Sequence, residues 1–239
     1  MTTQTSLTSA TQPWTAGDIQ VIAFDLDGTL VDSAQDIADA INAMRESLAM
    51  PVLSTSAICS FLGCGLMHLI HSSLTGDVTK KASDEVFAQG LTVFAPHYLA
   101  HVADKTRAYP EVVTTLALLK KWGYPLVVVT NKPQIFADAL LDKLGLRDYF
   151  SLVLGGDALP EKKPHPAPLL HVCSVFNIEP KQCLMVGDSR NDALAAQAAA
   201  CPLALVRYGY HHGQIDWAAQ DIDCVLAQFV DLLPYFKPD

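Results

Sequence analysis

The stretch FDLDGTLVDS at residues 24–33 decides the fold, because in it a buried strand ends in negative charge. The preceding run IQVIAF (19–24) is apolar and rich in β-branched residues, which is typical of a strand in a parallel sheet. Three carboxylates, Asp25, Asp27 and Asp32, follow within eight positions. Crowded carboxylates repel one another and raise one another's pKa, so a site that keeps them ionised normally supplies a cation. The stretch therefore indicates a strand that leads into a cation-binding loop.

Further short apolar runs with strand character recur along the chain. They lie at residues 125–130, 151–156, 182–187, 202–206 and, more weakly, 222–226. Helical patterns of about 10–15 residues lie between most of them, and several end in Gly or Asn, as helices commonly do. Strands that alternate with helices predict βαβ units in a parallel sheet covered on both faces. The fold class we expect is α/β, with a Rossmann-like parallel sheet as the core.

The alternation breaks once, because roughly a hundred residues separate the first strand from the second, where a crossover needs about 30. This interval contains helical patterns and no convincing strand. We therefore expect a small helical cap domain at 34–105, inserted into a core formed by 19–33 and 106–239. Open α/β sheets bind ligands beyond the carboxyl ends of their strands, so the cap should cover the site as a lid. Residues 1–18, rich in Ser and Thr, predict a mobile tail.

The composition argues against several classes of protein. A formal charge of -9 and an isoelectric point near 5.2 disfavour a nucleic-acid surface, which needs clustered Lys and Arg. No apolar run approaches the roughly 20 residues of a membrane span, and the N-terminal segment resembles no signal peptide. The six cysteines lack paired CxxC spacing, which favours free thiols in a reducing cytoplasm. We expect a cytoplasmic protein that binds neither nucleic acid nor membrane, with monomer and homodimer both left open.

Other polar side chains follow the later strands at the same edge of the predicted sheet. They are Thr130 and Asn131, Lys163 in KKPHP, and Asp188 and Asp192 in VGDSRND. Each has an ordinary structural explanation, since Thr130 can cap a helix and the two aspartates suit a helix entry. Asp25 and Asp27, two positions apart, can face the same pocket. Together the set suits phosphoryl transfer, which needs a metal, hydrogen-bonding and cationic groups for the phosphoryl oxygens, and a placed nucleophile.

The order of FDLDGTLVDS, VVVTNKP, KKPHPAPL and VGDSRND resembles the haloacid dehalogenase superfamily. More narrowly, the last two motifs, with GGD at 155–157 and RYGY at 207–210, resemble the phosphoglycolate phosphatase family. The resemblance runs from about residue 19 to the end and is weakest in the inserted region. It implies an Mg²⁺-dependent phosphatase that hydrolyses a small phosphorylated metabolite through an aspartyl-phosphate. The best single substrate it implies is 2-phosphoglycolate, which yields glycolate and phosphate.

The resemblance also implies a role for each core residue. Asp25 would be the nucleophile, and Asp27 would first protonate the leaving alcohol and then activate water as a base. Thr130 and Asn131 would hold phosphoryl oxygens. Lys163 would neutralise the nucleophile and the phosphate.

A metal site is part of the same resemblance. Asp188 would bind the ion together with the Asp25 side chain and the Asp27 backbone carbonyl. Asp192, one helical turn further on, would support the metal site, either through a water molecule or by contacting the residues that bind the ion. Oxygen-only ligands favour Mg²⁺ over ions that prefer thiolate or imidazole.

Two assignments have alternatives. Lys162 competes with Lys163 for the phosphate, and Lys163 is preferred because it directly precedes the proline of the family motif. In the cap, Gly63, Cys64 and Gly65 are candidates for substrate contact, since two glycines let backbone approach a ligand closely. The alternative for this segment is a simple bend between helices. Related phosphatases commonly carry Asn where Cys64 stands.

Two other functions compete with the phosphatase. A phosphosugar mutase of the β-phosphoglucomutase type uses the same core and a helical lid, but KKPHPAPL and RYGY favour the phosphatase branch. A phospho-accepting, receiver-like signalling module also combines acidic residues, a Thr and a Lys at strand ends. Receivers lack the long helical insertion and place the phosphorylated Asp on a later strand than the acidic pair, whereas Asp25 and Asp27 share one strand here. A phosphatase is therefore the prediction.

Overall fold

A computed structural model describes residues 14–15, 17–211, 215, 217 and 222–236. Its central sheet consists of β1 (Val21–Phe24), β2 (Leu126–Val129), β3 (Leu152–Leu154), β4 (Cys183–Gly187), β5 (Leu203–Val206) and β6 (Cys224–Leu226). All neighbouring strands run parallel, in the order β3-β2-β1-β4-β5-β6. This is the doubly wound order in which a crevice opens beside β1. The predicted Rossmann-like α/β core is confirmed.

Helices occupy both the cap and the faces of the sheet. The cap contains α1 (Ala34–Ser47), α2 (Thr55–Cys59), α3 (Leu66–Thr75) and α4 (Asp84–Ala100). The core contains α5 (Val112–Lys121), α6 (Gln134–Lys143), α7 (Ala167–Phe176) and α8 (Arg190–Ala199), with short 3-10 helices at Arg147–Tyr149, Pro180–Gln182 and Phe229–Tyr235. Between α2 and α3 lie Gly63 and Gly65, whose φ values of 91° and 87° are incompatible with a continuous helix.

The central strand β1 is buried on both faces. Its side chains alternate, with Ile22 and Phe24 in one apolar layer and Val21 and Ala23 in the other. Burying a large apolar side chain of this kind contributes about 1.5–3 kcal/mol. The strand is therefore a rigid base for the acidic residues that follow it.

The two chain segments between core and cap pair with each other. Val31–Asp32 and Arg107–Ala108 form a short antiparallel ribbon beside both proposed ends of the cap. The buried carboxylate of Asp36 accepts hydrogen bonds from the backbone N–H groups of Lys105 and Thr106 and from the Thr106 hydroxyl. These bonds hold the start of α1 against the returning chain, so the two connections are fixed to each other.

Part of the chain that precedes residue 19 packs against the core. Trp14 is buried, and its ring centroid lies 5.4 Å from that of Tyr235. The tail predicted at 1–18 is therefore held against the core at Trp14, and its residues 1–13 and 16 lie outside the described part. Within the described ranges, no helix combines the length and apolar character that a membrane crossing requires. All six cysteines are described, and each is a free thiol.

Candidate active site

The predicted site residues meet beyond the carboxyl ends of β1, β2 and β4. Asp25, Thr130 and Asp188 each directly follow one of these strands, so residues distant in the chain lie side by side. Thr29 donates its hydroxyl hydrogen to Asp188 Oδ1 at 2.7 Å. Gly28 has φ 87°, and a Cβ there would lie 2.4 Å from Asp188 Oδ2. Glycine is therefore required where the loop after β1 passes this carboxylate.

Asp25 is held by a buried ion pair. Lys163 Nζ lies 3.0 Å from Asp25 Oδ1 and 2.6 Å from Asp192 Oδ1. Burial raises the pKa of Asp25 to about 7, with Lys163 opposing the rise and Asp192 adding to it. Burial disfavours the Lys163 ammonium, but Asp192 and Asp25 more than compensate and raise its pKa. A charged lysine is thus available beside Asp25.

The alternative lysine takes a different position. Lys162 Nζ donates to the backbone carbonyl of Cys64 at 2.8 Å, which links the core to the cap loop. A Cβ at Gly65 would lie 2.5 Å from the same Nζ. The structure therefore brings Lys163, and not Lys162, to Asp25.

Three buried carboxylates form a cluster that can hold a metal ion. Oxygen atoms of Asp25, Asp188 and Asp192 lie within 4.8 Å of one another. Burial raises the pKa of Asp188 well above its ordinary value, and Asp192 and Asp25 add to the rise. A nearby cation favours the ionised form of each carboxylate, and with all three ionised the single ammonium of Lys163 leaves two negative charges uncompensated. This all-oxygen, doubly negative set fits a hard divalent cation.

Asp192 differs from the other two members of the cluster. Its Oδ1 accepts from Lys163, and its Oδ2 accepts from the N–H groups of Asp188 and Ser189 and from the Ser189 hydroxyl. Both oxygens are engaged by protein groups. Asp192 therefore positions Lys163 and the loop that carries Asp188.

A second cluster of metal-ligating atoms lies near the amino-terminal ends of β4 and β5. The sulfur atoms of Cys173, Cys183 and Cys201 lie within 4.8 Å of one another and are buried. Cys183 begins β4, whereas the carboxylates follow its end. Soft sulfur ligands are unsuited to the hard cations that accompany phosphate. The carboxylate cluster is thus the relevant one for phosphoryl chemistry.

Lys132 is a site residue that the sequence did not reveal. Its Nζ lies 3.0 Å from both carboxylate oxygens of Asp27 and 2.7 Å from the hydroxyl oxygen of Tyr98 in the cap. Burial lowers the pKa of Lys132, but Asp27 and Tyr98 raise it further, which keeps the side chain charged. Ser33 also donates to Asp27 Oδ1 at 2.5 Å. Lys132 stands within VVVTNKP, yet no local spacing indicated that it would reach Asp27.

Asn131 joins the cap loop to the core. Its amide nitrogen donates to the carbonyl oxygens of Gly63 at 2.9 Å and Lys163 at 2.8 Å. Asn191 donates to the same Gly63 oxygen at 3.0 Å. Both N–H donors of the Asn131 amide are therefore engaged by backbone. The Asn131 amide N–H groups, which together with Thr130 were predicted to hold phosphoryl oxygens, contact the Lys163 segment and the cap loop in this structure.

A cavity of about 330 Å³ separates cap and core. Its core wall includes Asp25, Asp27, Thr130, Lys132 and Asp188. The predicted contact loop lines the cap wall, which is otherwise mainly apolar and includes Gly63, Cys64, Gly65, Ile37, Phe61, Leu62, Leu66, Leu69, Val78 and Phe94. This size suits a small molecule. The charged core wall can bind a phosphoryl group, and the largely apolar cap wall faces the rest of the ligand.

Comparison with known proteins agrees with this fold. The family model of haloacid dehalogenase-like hydrolases matches residues 19–200, and the chain belongs to this family.

Its relatives define the enzyme class more narrowly. Phosphoglycolate phosphatase from Neisseria gonorrhoeae (strain ATCC 700825 / FA 1090) is 48% identical over 203 residues, which are 85% of each protein. The enzyme of that name from Chromobacterium violaceum is 48% identical over 192 residues, covering 80% of this chain and 86% of that protein. The crystal structure of a predicted phosphoglycolate phosphatase from Haemophilus somnus 129pt has a TM-score of 0.87 and 36% identity, covering 92% of this chain and 99% of the other. The chain is a phosphoric monoester hydrolase similar to these proteins.

Proposed function

We propose that the protein is an Mg²⁺-dependent phosphatase that hydrolyses 2-phosphoglycolate to glycolate and phosphate through an aspartyl-phosphate. The observation that carries the proposal is that Asp25, Thr130 and Asp188 line the core wall of one covered cavity, with Lys163 Nζ 3.0 Å from Asp25 Oδ1. Relatives named phosphoglycolate phosphatase at 48% identity support the choice of substrate. The free thiols support a cytoplasmic location. The proposed enzyme acts as a monomer or a homodimer.

The Mg²⁺ ion would be held by the side chains of Asp25 and Asp188 and by the backbone carbonyl of Asp27. The doubly negative, all-oxygen donor set supports this assignment. Bound there, the ion would supply positive charge to the phosphate oxygens and lower the repulsion between phosphate and carboxylates. Asp192 would contribute by orienting Lys163 and the Asp188 loop.

Asp25 is the proposed nucleophile. One of its oxygens attacks phosphorus, the bond between phosphorus and the ester oxygen breaks, and the alcohol leaves. Lys163, 3.0 Å away, offsets the negative charge of both reacting groups. Thr130 Oγ1 accepts the backbone N–H of Lys132 at 3.2 Å, so its own hydroxyl hydrogen remains able to donate to a phosphoryl oxygen.

Asp27 is the proposed acid and base. When protonated, it gives its proton to the ester oxygen as the alcohol leaves. The resulting carboxylate then removes a proton from the water that attacks phosphorus and releases phosphate from Asp25. Ser33 and Lys132 hold the Asp27 side chain in place on the cavity wall.

Steady-state phosphate release from a panel of esters tests this function. The panel contains 2-phosphoglycolate, hexose phosphates, nucleotides and pyrophosphate, each with Mg²⁺ and with chelator. We expect 2-phosphoglycolate to have the highest kcat/KM and the chelator to abolish turnover until Mg²⁺ is restored. Isomerisation of a hexose phosphate without phosphate release would instead establish the mutase. A preference for pyrophosphate or hexose phosphates would overturn the substrate while leaving the proposed chemistry in place.

A further inference from the structure

Lys132 places a buried positive charge on the cavity wall. The residue is 7% exposed, and its Nζ contacts Asp27 and the Tyr98 hydroxyl while lying 4.8 Å from the centroid of the Tyr98 ring. An ammonium group has three diverging N–H donors. The two oxygens of the Asp27 carboxylate, both 3.0 Å from Nζ, lie close enough together to share one of these donors, and the Tyr98 hydroxyl oxygen accepts a second. Burying an ammonium is costly unless anionic or polar groups surround it. The third N–H group of Lys132 can therefore donate a charge-assisted hydrogen bond to an anionic group that enters the cavity.

The cations of the cap serve other purposes. Arg45 donates to two backbone carbonyls within the cap, and Lys80 and Lys105 pair with cap aspartates. In the part of the chain that the structure describes, no Lys or Arg of the segment 34–107 lines the cavity. A cationic partner for a negatively charged group of the ligand must therefore come from the core wall.

Lys132 also differs from the other basic residues around the cavity. Arg190 lines it but is exposed. Burial and Lys162 lower the pKa of His68, so its imidazole is neutral near pH 7. His211 lies with Nε2 3.1 Å from a backbone carbonyl oxygen. Of the basic groups described on the cavity wall, Lys132 combines full charge, burial and contact with the proposed acid.

The structure of the leaving group determines where the carboxylate of the substrate lies relative to Asp27. Asp27 must contact the ester oxygen in order to protonate it. In 2-phosphoglycolate, the carboxylate is attached to the carbon bonded to that oxygen, so it lies about one hydrogen-bond length from the contact point. Lys132 Nζ is 3.0 Å from Asp27, which matches this short reach.

We propose that Lys132 binds the carboxylate of the leaving group and thereby selects phosphate esters of 2-hydroxy acids over esters of neutral alcohols. The inference rests on the proposed function and deepens it by naming the residue that recognises the substrate's second charge. The phosphoryl group binds at Asp25, Thr130 and Lys163, the ester oxygen contacts Asp27, and the carboxylate takes the remaining N–H donor of Lys132. A neutral alcohol leaves that donor unpaired in the covered cavity, which costs affinity.

Two matched esters and two matched variants test this assignment. Ethyl phosphate has a methyl group where 2-phosphoglycolate has its carboxylate, and the ratio of their kcat/KM values measures selection for the charge. Lys132→Met keeps the length of the side chain and removes the charge. We expect the ratio to fall by about 10- to 100-fold, since a hydrogen bond to a charged group contributes about 1.5–3 kcal/mol. The ratio cancels any loss from Asp27, because both esters share that step.

The control is Arg190→Gln, which removes an exposed cation from the same cavity. We expect its ratio to stay within about threefold of the wild-type value. Thermal unfolding checks that each variant is folded, and Lys132→Gln, with the same expected loss, replaces Lys132→Met if the latter does not fold. If the wild type prefers 2-phosphoglycolate and the folded Lys132 variant keeps that preference, Lys132 does not recognise the carboxylate. If the wild type has no such preference, the proposed substrate itself is wrong.

Discussion

The core wall and the cap wall of the cavity are built on opposite principles. Asp25 and Asp188 on the core wall, and Lys163 beside Asp25, are buried charges held by ion pairs and hydrogen bonds of 2.6–3.0 Å. The cap wall is mainly apolar, and its Tyr98 hydroxyl reaches across to Lys132. Charge concentrated on rigid strand ends suits bond breaking, whereas an apolar lid excludes water and leaves selection to a few contacts. We therefore expect changes to Asp25 or to the support of Asp188 to affect every substrate, and changes to Lys132 or to its cap partner Tyr98 to affect substrates unequally.

The largest effect should come from Asp25→Asn, which removes the proposed nucleophile. We expect kcat to fall at least about 10⁴-fold for 2-phosphoglycolate and ethyl phosphate alike, because neither can form the aspartyl-phosphate. Phosphate release is the measurement, and circular dichroism is the control for folding. Lys163 keeps its partner Asp192 in this variant, so the core should remain packed. Activity within about tenfold of the wild type would remove Asp25 from its proposed role.

Thr29→Val tests the support of the metal site on the same wall. The buried Thr29 hydroxyl donates to Asp188 Oδ1, and valine keeps the shape without the hydrogen bond. We expect about 10- to 100-fold weaker Mg²⁺ affinity with kcat near wild type at saturating Mg²⁺. Calorimetric titration of Mg²⁺, together with the Mg²⁺ dependence of phosphate release, measures both quantities. An unchanged Mg²⁺ dependence would show that Thr29 does not orient a metal ligand.

Tyr98→Phe examines the cap wall. The change removes the oxygen that accepts from Lys132 at 2.7 Å and leaves the aromatic ring beneath the ammonium. We expect KM for 2-phosphoglycolate to rise about 3- to 10-fold, the worth of one hydrogen bond, and KM for ethyl phosphate to change less. Separate kcat and KM values for the two esters provide the check. An equal loss of kcat for both esters would contradict the division between the two walls.

The smallest effect belongs to a residue outside both walls. Glu111, at the start of α5, has φ 62°, a left-handed conformation that costs a residue with a Cβ about 1–2 kcal/mol. Glu111→Gly removes that cost, while glycine loses more backbone entropy on folding. We expect the free energy of unfolding to rise by up to about 1 kcal/mol, with kcat and KM unchanged. Urea unfolding decides the question, and a net loss of stability would show that the Glu111 side chain contributes more than its backbone costs.

Much of the fold and of the core wall could be predicted because the signals are local. Each strand is an apolar run, and Asp25, Thr130 and Asp188 each directly follow one, so the parallel sheet brings these three residues together without further information. The cap loop at Gly63 and Gly65 was predictable for the same reason, since glycine pairs indicate a turn. Its contact with Asn131 was not predictable, because that contact depends on how cap and core pack.

The sequence by itself determined the doubly wound sheet, the inserted helical cap and the set of carboxylates at the strand ends, because periodicity and adjacency act over a few residues. Only the tertiary structure decided that Lys163 rather than Lys162 faces Asp25, that Asp192 positions that lysine, and that Lys132 bridges Asp27 and Tyr98. These choices depend on side-chain directions and on the packing of segments distant in the chain. Burial then gives each charge its effect, since an ammonium or carboxylate removed from water interacts with whatever the fold places beside it.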